Sequence, residues 1–249
     1  MSPRSVLITG CNRGIGLELI KQYLKLDNPP THVLATYRDP ASSEELLQLA
    51  KENDRLQALK FDVAARDTYS NFVKDVGAIV GAENGLNCLI HNAGYMAPNR
   101  DLNSVTPEDM LQSYEVNCVA PLFLTREFLP LLKAAIKEDK PKFKVDQAAS
   151  ILMSTSVASI NENTGGSLYP YRASKTALNM VMKSLSVDLK ETGILIMSMH
   201  PGWVKTRMGG PNALIDTETC CKTMIDTLDA LDEKDHGAFL RYNNTPITW

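Results

Sequence analysis

Basic residues are not in excess in this 249-residue sequence, which has 26 Lys and Arg residues against 29 Asp and Glu residues and a formal net charge of −3. Proteins that bind nucleic acid or an anionic membrane generally present a basic face. The first ten residues, MSPRSVLITG, also lack the apolar stretch of a signal peptide and the length of a membrane span. We therefore expect no nucleic-acid partner, no membrane partner and a cytoplasmic location.

The sequence also lacks the residue spacings of several common functional sites. Its five cysteines are an odd number without a C-x-x-C pair, and its four histidines, at positions 32, 91, 200 and 236, have no metal-binding spacing. The nucleophile elbow G-x-S-x-G is absent. These absences argue against a disulfide framework, a metal site and a serine hydrolase, and a reducing compartment fits the free thiols best.

What the sequence contains is an alternation of strands and helices. Continuous apolar runs predict strands at residues 6–9, 32–37, 56–61, 86–91, 150–154, 194–200 and 238–242. Helices are predicted at residues 16–26, 67–80, 106–137, 171–189 and 217–231. Another helix is predicted to follow Asp39 and Pro40, with Ser42 and Glu45 as its capping box. Pro121 and Pro130 are predicted to bend the helix at 106–137. Strands that are apolar throughout are typical of a sheet with both faces covered. We predict one α/β domain over 1–249, a doubly wound parallel sheet of about seven strands, with a lid loop at about 203–217.

A glycine-rich turn joins the first predicted strand to the first predicted helix. In VLITGCNRGIG the spacing G-x-x-x-G-x-G places Gly10, Gly14 and Gly16 at this junction. Glycine allows backbone N–H groups to approach a pyrophosphate at the positive end of a helix. Any tight strand–helix turn can use glycine, so the turn favours a nucleotide site mainly because of its position.

Tyr171 and Lys175, in SLYPYRASKTALN, are four residues apart and so lie one turn apart on the same face of a helix. Tyr169 has no such partner. The pKa of a free phenol is about 10, and lowering it by about three units takes roughly 4 kcal/mol, which a nearby ammonium can help to supply. The pair predicts that Tyr171 has a lowered pKa and acts as a general acid.

The glycine spacing and the Tyr171–Lys175 pair together resemble the short-chain dehydrogenase/reductase family, and the resemblance covers essentially the whole chain. HNAG at 91–94 is similar to the family's N-N-A-G, with His91 in place of the first Asn, and HPGWVKT at 200–206 is similar to its P-G segment. Within the family, the sequence is most similar to sniffer-type carbonyl reductases and their C-factor relatives. The resemblance implies an NADPH-dependent reductase of aldehydes, ketones or quinones.

The resemblance also implies a cofactor site. Its predicted members are Gly10, Asn12, Arg13, Gly14, Ile15, Gly16, Arg38, Asp62, Val63, Asn92, Ala93, Gly94, Ser154, Tyr171, Lys175, Pro201, Gly202, Val204 and Thr206. Asp62 and Val63 would border the adenine, and Lys175 would hold the nicotinamide ribose.

The end of the second strand bears on the choice of cofactor. Enzymes that prefer NAD usually have a carboxylate here, and this sequence has Tyr37. Arg38 follows, and Arg13 in the glycine turn offers a second guanidinium that could clamp a 2′-phosphate. Asp39 is a mild counter-argument. We expect NADP(H).

The predicted catalytic residues are Asn117, Thr155, Tyr171 and Lys175. Asn117 matches the family's helix asparagine and would anchor a water that links Lys175 to solvent. The hydroxyl that orients the substrate is open between two positions: a gapless match of STSVASI favours Thr155, and reading TSVAS against S-S-V-A-G favours Ser156. We prefer Thr155.

Three questions about function stay open. A methyltransferase would have no use for Tyr171 and Lys175, but a non-catalytic NADP(H)-binding sensor on the same fold is a real alternative. The expected partner is a small carbonyl compound, and a homodimer is left open. Residues 95–98, 156–170 and 203–213 are candidate walls of the substrate site, with Trp203 and Met208 offering apolar surface to an apolar or aromatic carbonyl.

Overall fold

The computed structural model describes residues 2–249. Within them are seven strands: β1 (Ser5–Ile8), β2 (His32–Tyr37), β3 (Leu56–Lys60), β4 (Cys88–His91), β5 (Ala149–Met153), β6 (Leu195–His200) and β7 (Phe239–Arg241). The seven α-helices of the same residues are α1 (Gly14–Leu24), α2 (Glu44–Glu52), α3 (Tyr69–Val80), α4 (Pro107–Tyr114), α5 (Ala120–Ala135), α6 (Tyr169–Asp188) and α7 (Thr217–Ala230). The predicted elements are all present, with ends that differ by a few residues.

The strands form one parallel sheet in the order β3-β2-β1-β4-β5-β6-β7. The chain begins in the middle of the sheet: Ile8 of β1 is in register with Ala35 of β2 on one side and with Ile90 of β4 on the other. In such sheets, ligands bind at the carboxyl ends of the strands where the order reverses. The predicted doubly wound fold is confirmed, and its crevice lies at the ends of β1 and β4.

Two apolar layers cover the two faces of the sheet. Val6 and Ile8 of β1 belong to the layer that packs with α1 and α7, whereas Leu7 between them belongs to the layer that packs with α3, α5 and α6. Alternate residues of one strand are therefore buried on opposite faces. This is why the strands appear in the sequence as continuous apolar runs.

The start of α2 differs from the prediction. Ser42 ends a 3₁₀ turn, Pro40–Ser42, and α2 begins at Glu44. Asp39 caps the turn by accepting a bond from the Ala41 N–H, and the Ser42 hydroxyl donates to the Asp39 carbonyl. The predicted capping box of Ser42 and Glu45 is wrong, because Asp39 and Pro40 start a separate turn that uses the Ser42 hydroxyl.

The long helical region contains a π-helical segment at the predicted bend. Between α4 and α5, Glu115–Val119 forms this segment, and the Ala120 N–H donates to the Glu115 carbonyl five residues back. Pro121 follows and has no N–H to give to the carbonyl of Asn117. π-helical segments inside α-helices are frequent at functional sites, and Asn117 lies in this one.

Among residues 2–249, no helix combines the length and the apolarity needed to cross a membrane.

Candidate active site

The glycine turn at the end of β1 is packed against the segment that follows β4. Gly10 has a φ of 72°, and a Cβ there would lie 2.9 Å from the Ala93 Cα. A Cβ at Gly16 would lie 2.4 Å from the Gly10 carbonyl oxygen and 2.5 Å from Nδ2 of Asn92. Both positions require glycine, because a side chain would push the turn away from its neighbours. This is the backbone cradle that the sequence spacing predicts.

Asparagine side chains hold the turn in place. Asn92 donates from Nδ2 to the carbonyls of Thr9, at 2.9 Å, and Gly10, at 3.0 Å. Asn12 donates to the Ser42 carbonyl at 3.3 Å, which ties the turn to the segment after β2. The amides of both predicted cofactor residues are thus bound to protein backbone, and they shape the site by fixing the turn.

The amino end of α1 is free to attract an anion. The helix begins at Gly14, and its first turn contains no acidic residue. Its N–H groups and its dipole therefore present uncompensated positive charge at the glycine turn. A Cβ at Gly14 would lie 3.4 Å from Cγ2 of Thr206, so the loop after β6 passes over this helix end.

Three arginines surround the same region. Arg13 precedes α1, Arg38 follows β2, and Arg207 comes from the loop after β6; all three are exposed. Burial and the positive charges of Arg207 and Arg38 lower the pKa of Arg13. None of the three forms an ion pair with a carboxylate within residues 2–249. Positive charges gathered in this way attract an anion. Arg207 was missed from the sequence, although it directly follows the predicted Thr206.

The remaining predicted cofactor residues lie along the carboxyl edge of the sheet. Asp62 accepts from the Ala64 N–H, and the Val63 carbonyl accepts from the Tyr69 hydroxyl. Ser154, directly after β5, has a buried hydroxyl without a hydrogen-bond partner in the described chain. The others are Ile15 in the first turn of α1 and Pro201, Gly202, Val204 and Thr206 in the loop after β6. An unpartnered hydroxyl, uncompensated cations and a glycine cradle fit a phosphorylated dinucleotide.

Lys175 is buried beside the end of β5. Its Nζ donates to the Met153 carbonyl at 2.7 Å and lies 5.9 Å from the centre of the Tyr171 ring. Burial lowers the pKa of Lys175 to about 8, and the nearby Cys118 thiol acts in the opposite direction. A Cβ at Gly94 would lie 3.9 Å from Nζ, so the absence of a side chain there leaves room next to the ammonium.

Tyr171 lies on the same face of α6 as Lys175, as predicted, but its titration differs from the prediction. Burial raises the pKa of Tyr171 to about 12. The expected lowering of this pKa is wrong for the protein by itself. The physical reason is that the Lys175 ammonium is bonded to Met153, at a distance from the ring, and burial of the phenol outweighs its charge.

Asn117 is fully buried in the π-helical segment, and its amide is committed to two partners. Oδ1 accepts from the Tyr95 N–H at 2.8 Å, and Nδ2 donates to the Tyr95 carbonyl at 2.8 Å and to the Ser174 hydroxyl at 3.0 Å. The side chain thus joins the segment after β4 to α6 next to Lys175.

Thr155 and Ser156 occupy different positions at the end of β5. Thr155 is buried and caps the 3₁₀ turn Ser156–Ala158, its Oγ1 accepting from the Val157 N–H at 3.4 Å. That bond uses a lone pair and leaves the Thr155 hydroxyl proton to donate elsewhere. Ser156 is the first residue of the turn itself.

His91, the residue that departs from the family's N-N-A-G, lies in the core. Its Nε2 is 2.8 Å from Oγ1 of Thr125 and 3.2 Å from Oγ of Ser150. Burial and the charge of Lys175 lower the pKa of His91 to about 3, so the ring is neutral at physiological pH. Within residues 2–249, no group of three His, Cys, Asp or Glu side chains could hold a metal ion.

The predicted lid loop has internal structure. The Lys205 N–H donates to the Ile215 carbonyl at 2.8 Å, and the Trp203 indole donates to the Gly209 carbonyl at 2.7 Å. Trp203 and Met208 remain about half exposed. The loop therefore exposes apolar surface while its own hydrogen bonds keep its shape.

Three comparisons with known proteins agree with this geometry. The profile of the short chain dehydrogenase family matches residues 4–214. Among solved structures, the carbonyl reductase Sniffer of D. melanogaster is 41% identical with a TM-score of 0.96, over 99% of this chain and 100% of that one. A carbonyl reductase from chicken fatty liver, solved with NADPH bound, is 37% identical with a TM-score of 0.94 over the full length of both chains. The C-signal protein of Myxococcus xanthus is 34% identical over 65% of this chain and 91% of its own length.

Proposed function

Because the chain belongs to the short-chain dehydrogenase family, we propose that it is an NADPH-dependent carbonyl reductase acting on aldehydes, ketones or quinones. The observation that supports the proposal is that Tyr171 and Lys175 share one face of α6, with the Lys175 ammonium bonded at the end of β5, two residues before Thr155. Gly94 follows Ala93, which packs against the glycine turn, and lies beside both Lys175 and Asn117. Two structural relatives, the Sniffer protein of D. melanogaster and the enzyme from chicken fatty liver, are carbonyl reductases, and the second was solved with NADPH bound. A cytoplasmic location is part of the same proposal, since all five cysteines are free thiols.

Tyr171 donates the proton in this mechanism. NADPH, when bound, supplies the hydride that goes to the carbonyl carbon. The pKa of about 12 keeps the phenol protonated at neutral pH, so a proton is available for the carbonyl oxygen. Lys175, with a pKa of about 8, is mostly charged at pH 7 and stabilises the phenolate that remains. Thr155 donates to the same carbonyl oxygen and orients it.

The other residues prepare the site. Asn117 bonds both to Tyr95 in the segment after β4 and to Ser174 in α6, and so holds the two segments together. Because Ser174 precedes Lys175, these bonds also help to keep Lys175 in place. Lys175 also has room beside Gly94 for the ribose hydroxyls of a nicotinamide. Ser154, with its unpartnered hydroxyl, is a further group that would bind the cofactor.

The preference for NADP(H) over NAD(H) is proposed from the arginines. Arg13, Arg38 and Arg207 gather without a carboxylate, and Tyr37 stands where a carboxylate would repel a 2′-phosphate. Guanidinium groups bind phosphate oxygens in a bidentate manner. The extra phosphate of NADP(H) therefore relieves a repulsion that NAD(H) leaves in place.

The test is a panel of carbonyl compounds assayed with NADPH and NADH side by side. We expect steady NADPH oxidation with at least one aldehyde, ketone or quinone, and much slower NADH oxidation. Tight NADPH binding without turnover on any of them would instead indicate the sensor alternative.

A further inference from the structure

The loop between the two proposed catalytic hydroxyls has an unusual backbone. Residues 156–168, here called the substrate loop, connect Thr155 to the start of α6, where Tyr171 lies. The last three, Gly166, Ser167 and Leu168, have φ values of 58°, 53° and 55°. The left-handed region costs a residue other than glycine roughly 1–2 kcal/mol. Ser167 and Leu168 both bear this cost, so their conformation persists only if the surroundings hold it.

Arg172 provides much of that hold. Its Nε donates to the carbonyls of Gly166, at 3.0 Å, and Ser167, at 3.1 Å, and its Nη1 donates to the Val157 carbonyl at 2.9 Å. One guanidinium thus binds residues close to both ends of the substrate loop. The planar group with its fixed donors suits several carbonyls at once, which an ammonium does less well.

Thr176, one helical turn further on, holds the same loop at its first turn. Its Oγ1 lies 2.7 Å from the Ala158 carbonyl oxygen and 2.9 Å from that of Arg172. Arg172 and Thr176 are therefore an i, i+4 pair displaced by one residue from Tyr171 and Lys175. The same two turns of α6 therefore contain the proposed acid, Tyr171, and, on an adjacent face, the two residues that bond to the substrate loop.

We propose that Arg172 and Thr176 are positioning residues that hold the substrate loop as a wall of the carbonyl site at a fixed distance from Tyr171. The inference rests on the proposed function, because it assigns the wall to a reductase site. Because one rigid helix carries Tyr171 and also bonds to the substrate loop, the distance between the two is kept constant. A large carbonyl compound would need that wall to be oriented, whereas a small one would need only the hydroxyls of Thr155 and Tyr171.

Other bonds anchor the far side of the substrate loop and limit what the loss of Arg172 can do. The Ser167 hydroxyl bonds to Asp101, and the Tyr169 N–H donates to the Arg100 carbonyl at 3.2 Å. The loop should therefore become mobile without Arg172 and keep its connection to the rest of the chain. The cofactor elements lie on other segments and should not change.

The experiment compares Arg172→Ala, Arg172→Lys and Thr176→Val with the natural protein. A three-ring aromatic quinone and a three-carbon aldehyde serve as large and small probes, NADPH affinity is measured by fluorescence, and hydrogen exchange is followed in residues 157–168. For Arg172→Ala we expect KM for the quinone to rise about tenfold, the loss of roughly one or two net hydrogen bonds. KM for the aldehyde and the NADPH dissociation constant should change less than about twofold, and exchange in the loop should accelerate.

The matched control is Arg126→Ala, which removes an exposed guanidinium from α5, where it contacts Glu127 and Phe123. It should leave KM for both probes and hydrogen exchange in the loop unchanged.

Arg172→Lys should recover part of the quinone affinity, and Thr176→Val should show a smaller effect of the same pattern. The test therefore does not depend on the folding of Arg172→Ala. Unchanged exchange with an unchanged quinone KM, or equal losses for both probes and NADPH, would refute the positioning role. If the natural protein oxidises NADPH with no compound of the carbonyl panel while Arg172→Ala still accelerates exchange in the loop, the proposed function fails, and Arg172 is shown to hold the loop for another reason.

Discussion

The ammonium of Lys175 is bonded to the backbone carbonyl of Met153, 2.7 Å away, at the end of β5. A carbonyl is a neutral acceptor, so this bond orients the ammonium without cancelling its charge. The site therefore contains a buried cation 5.9 Å from the Tyr171 ring, next to the open space at Gly94. Its position allows one charge to serve both the phenol and a nicotinamide ribose, and its pKa of about 8 makes that charge depend on pH.

The first prediction concerns this pH dependence. Lys175 is charged below its pKa of about 8 and loses the charge as the pH rises through that value. kcat/KM for NADPH reports the ionisation of the free enzyme, so it should be constant near pH 7 and fall above about pH 8. Lys175→Met should abolish the dependence along with most of the activity. Lys205→Ala, which removes an exposed lysine from the lid loop, should show the same pH dependence as the natural protein. If kcat/KM of the natural protein stays constant up to about pH 9.5, Lys175 does not titrate in this range.

The second prediction concerns the cofactor phosphate. Arg207→Ala should weaken NADPH binding about tenfold, since a charge-assisted bond to a phosphate is worth roughly 1.5–3 kcal/mol, and should leave NADH binding nearly unchanged. Arg38→Asp should reduce or invert the preference between the two. Dissociation constants from fluorescence titration decide the matter.

Lys205→Ala is the control for Arg207→Ala. Lys205 is an exposed cation on the same loop, two residues away, and its charge acts on Asp216 and not on Arg13. The Lys205→Ala variant should bind NADPH with the same dissociation constant as the natural protein. Equal affinities of the natural protein for NADPH and NADH would contradict the phosphate site as a whole.

The fold and the site differ in how much of them the sequence predicts. Strand β2 was predicted with its observed ends, because apolar residues buried on both faces leave an unbroken run, and Gly10 and Gly16 mark a turn that a side chain would block. Arg207 was missed because its approach to Arg13 depends on the path of the loop after β6. For the protein by itself, the pKa of Tyr171 was predicted in the wrong direction, because i, i+4 spacing places two residues on one face but says nothing about burial or about a competing acceptor such as Met153.

The third prediction identifies the acid. Tyr171→Phe removes the proposed proton donor with little change in volume, so folding and NADPH binding should survive while turnover falls by about two orders of magnitude or more. Tyr169→Phe is the matched control: Tyr169 is the first residue of α6, is 40% exposed and is out of line with Lys175. Turnover with a carbonyl substrate, NADPH affinity and thermal unfolding measure the three effects. Substantial activity in Tyr171→Phe would require a different acid.

The last prediction decides which hydroxyl orients the carbonyl. Thr155 is buried at the end of β5, and its Oγ1 accepts only the long Val157 bond among those described, which leaves its proton available to the substrate. Thr155→Val keeps the shape and removes the donor, so kcat should fall by about a hundredfold to a thousandfold, the loss of one hydrogen bond made in the transition state. NADPH affinity should be nearly unchanged.

Thr155→Ser restores the hydroxyl and should recover most of the rate, although the less branched side chain is held less firmly. Ser156→Ala should have little effect on kcat, because Ser156 lies within the 3₁₀ turn that Thr155 caps. If Ser156→Ala loses the rate and Thr155→Val keeps it, the role belongs to Ser156, and the gapless match of STSVASI to the family is wrong at this position.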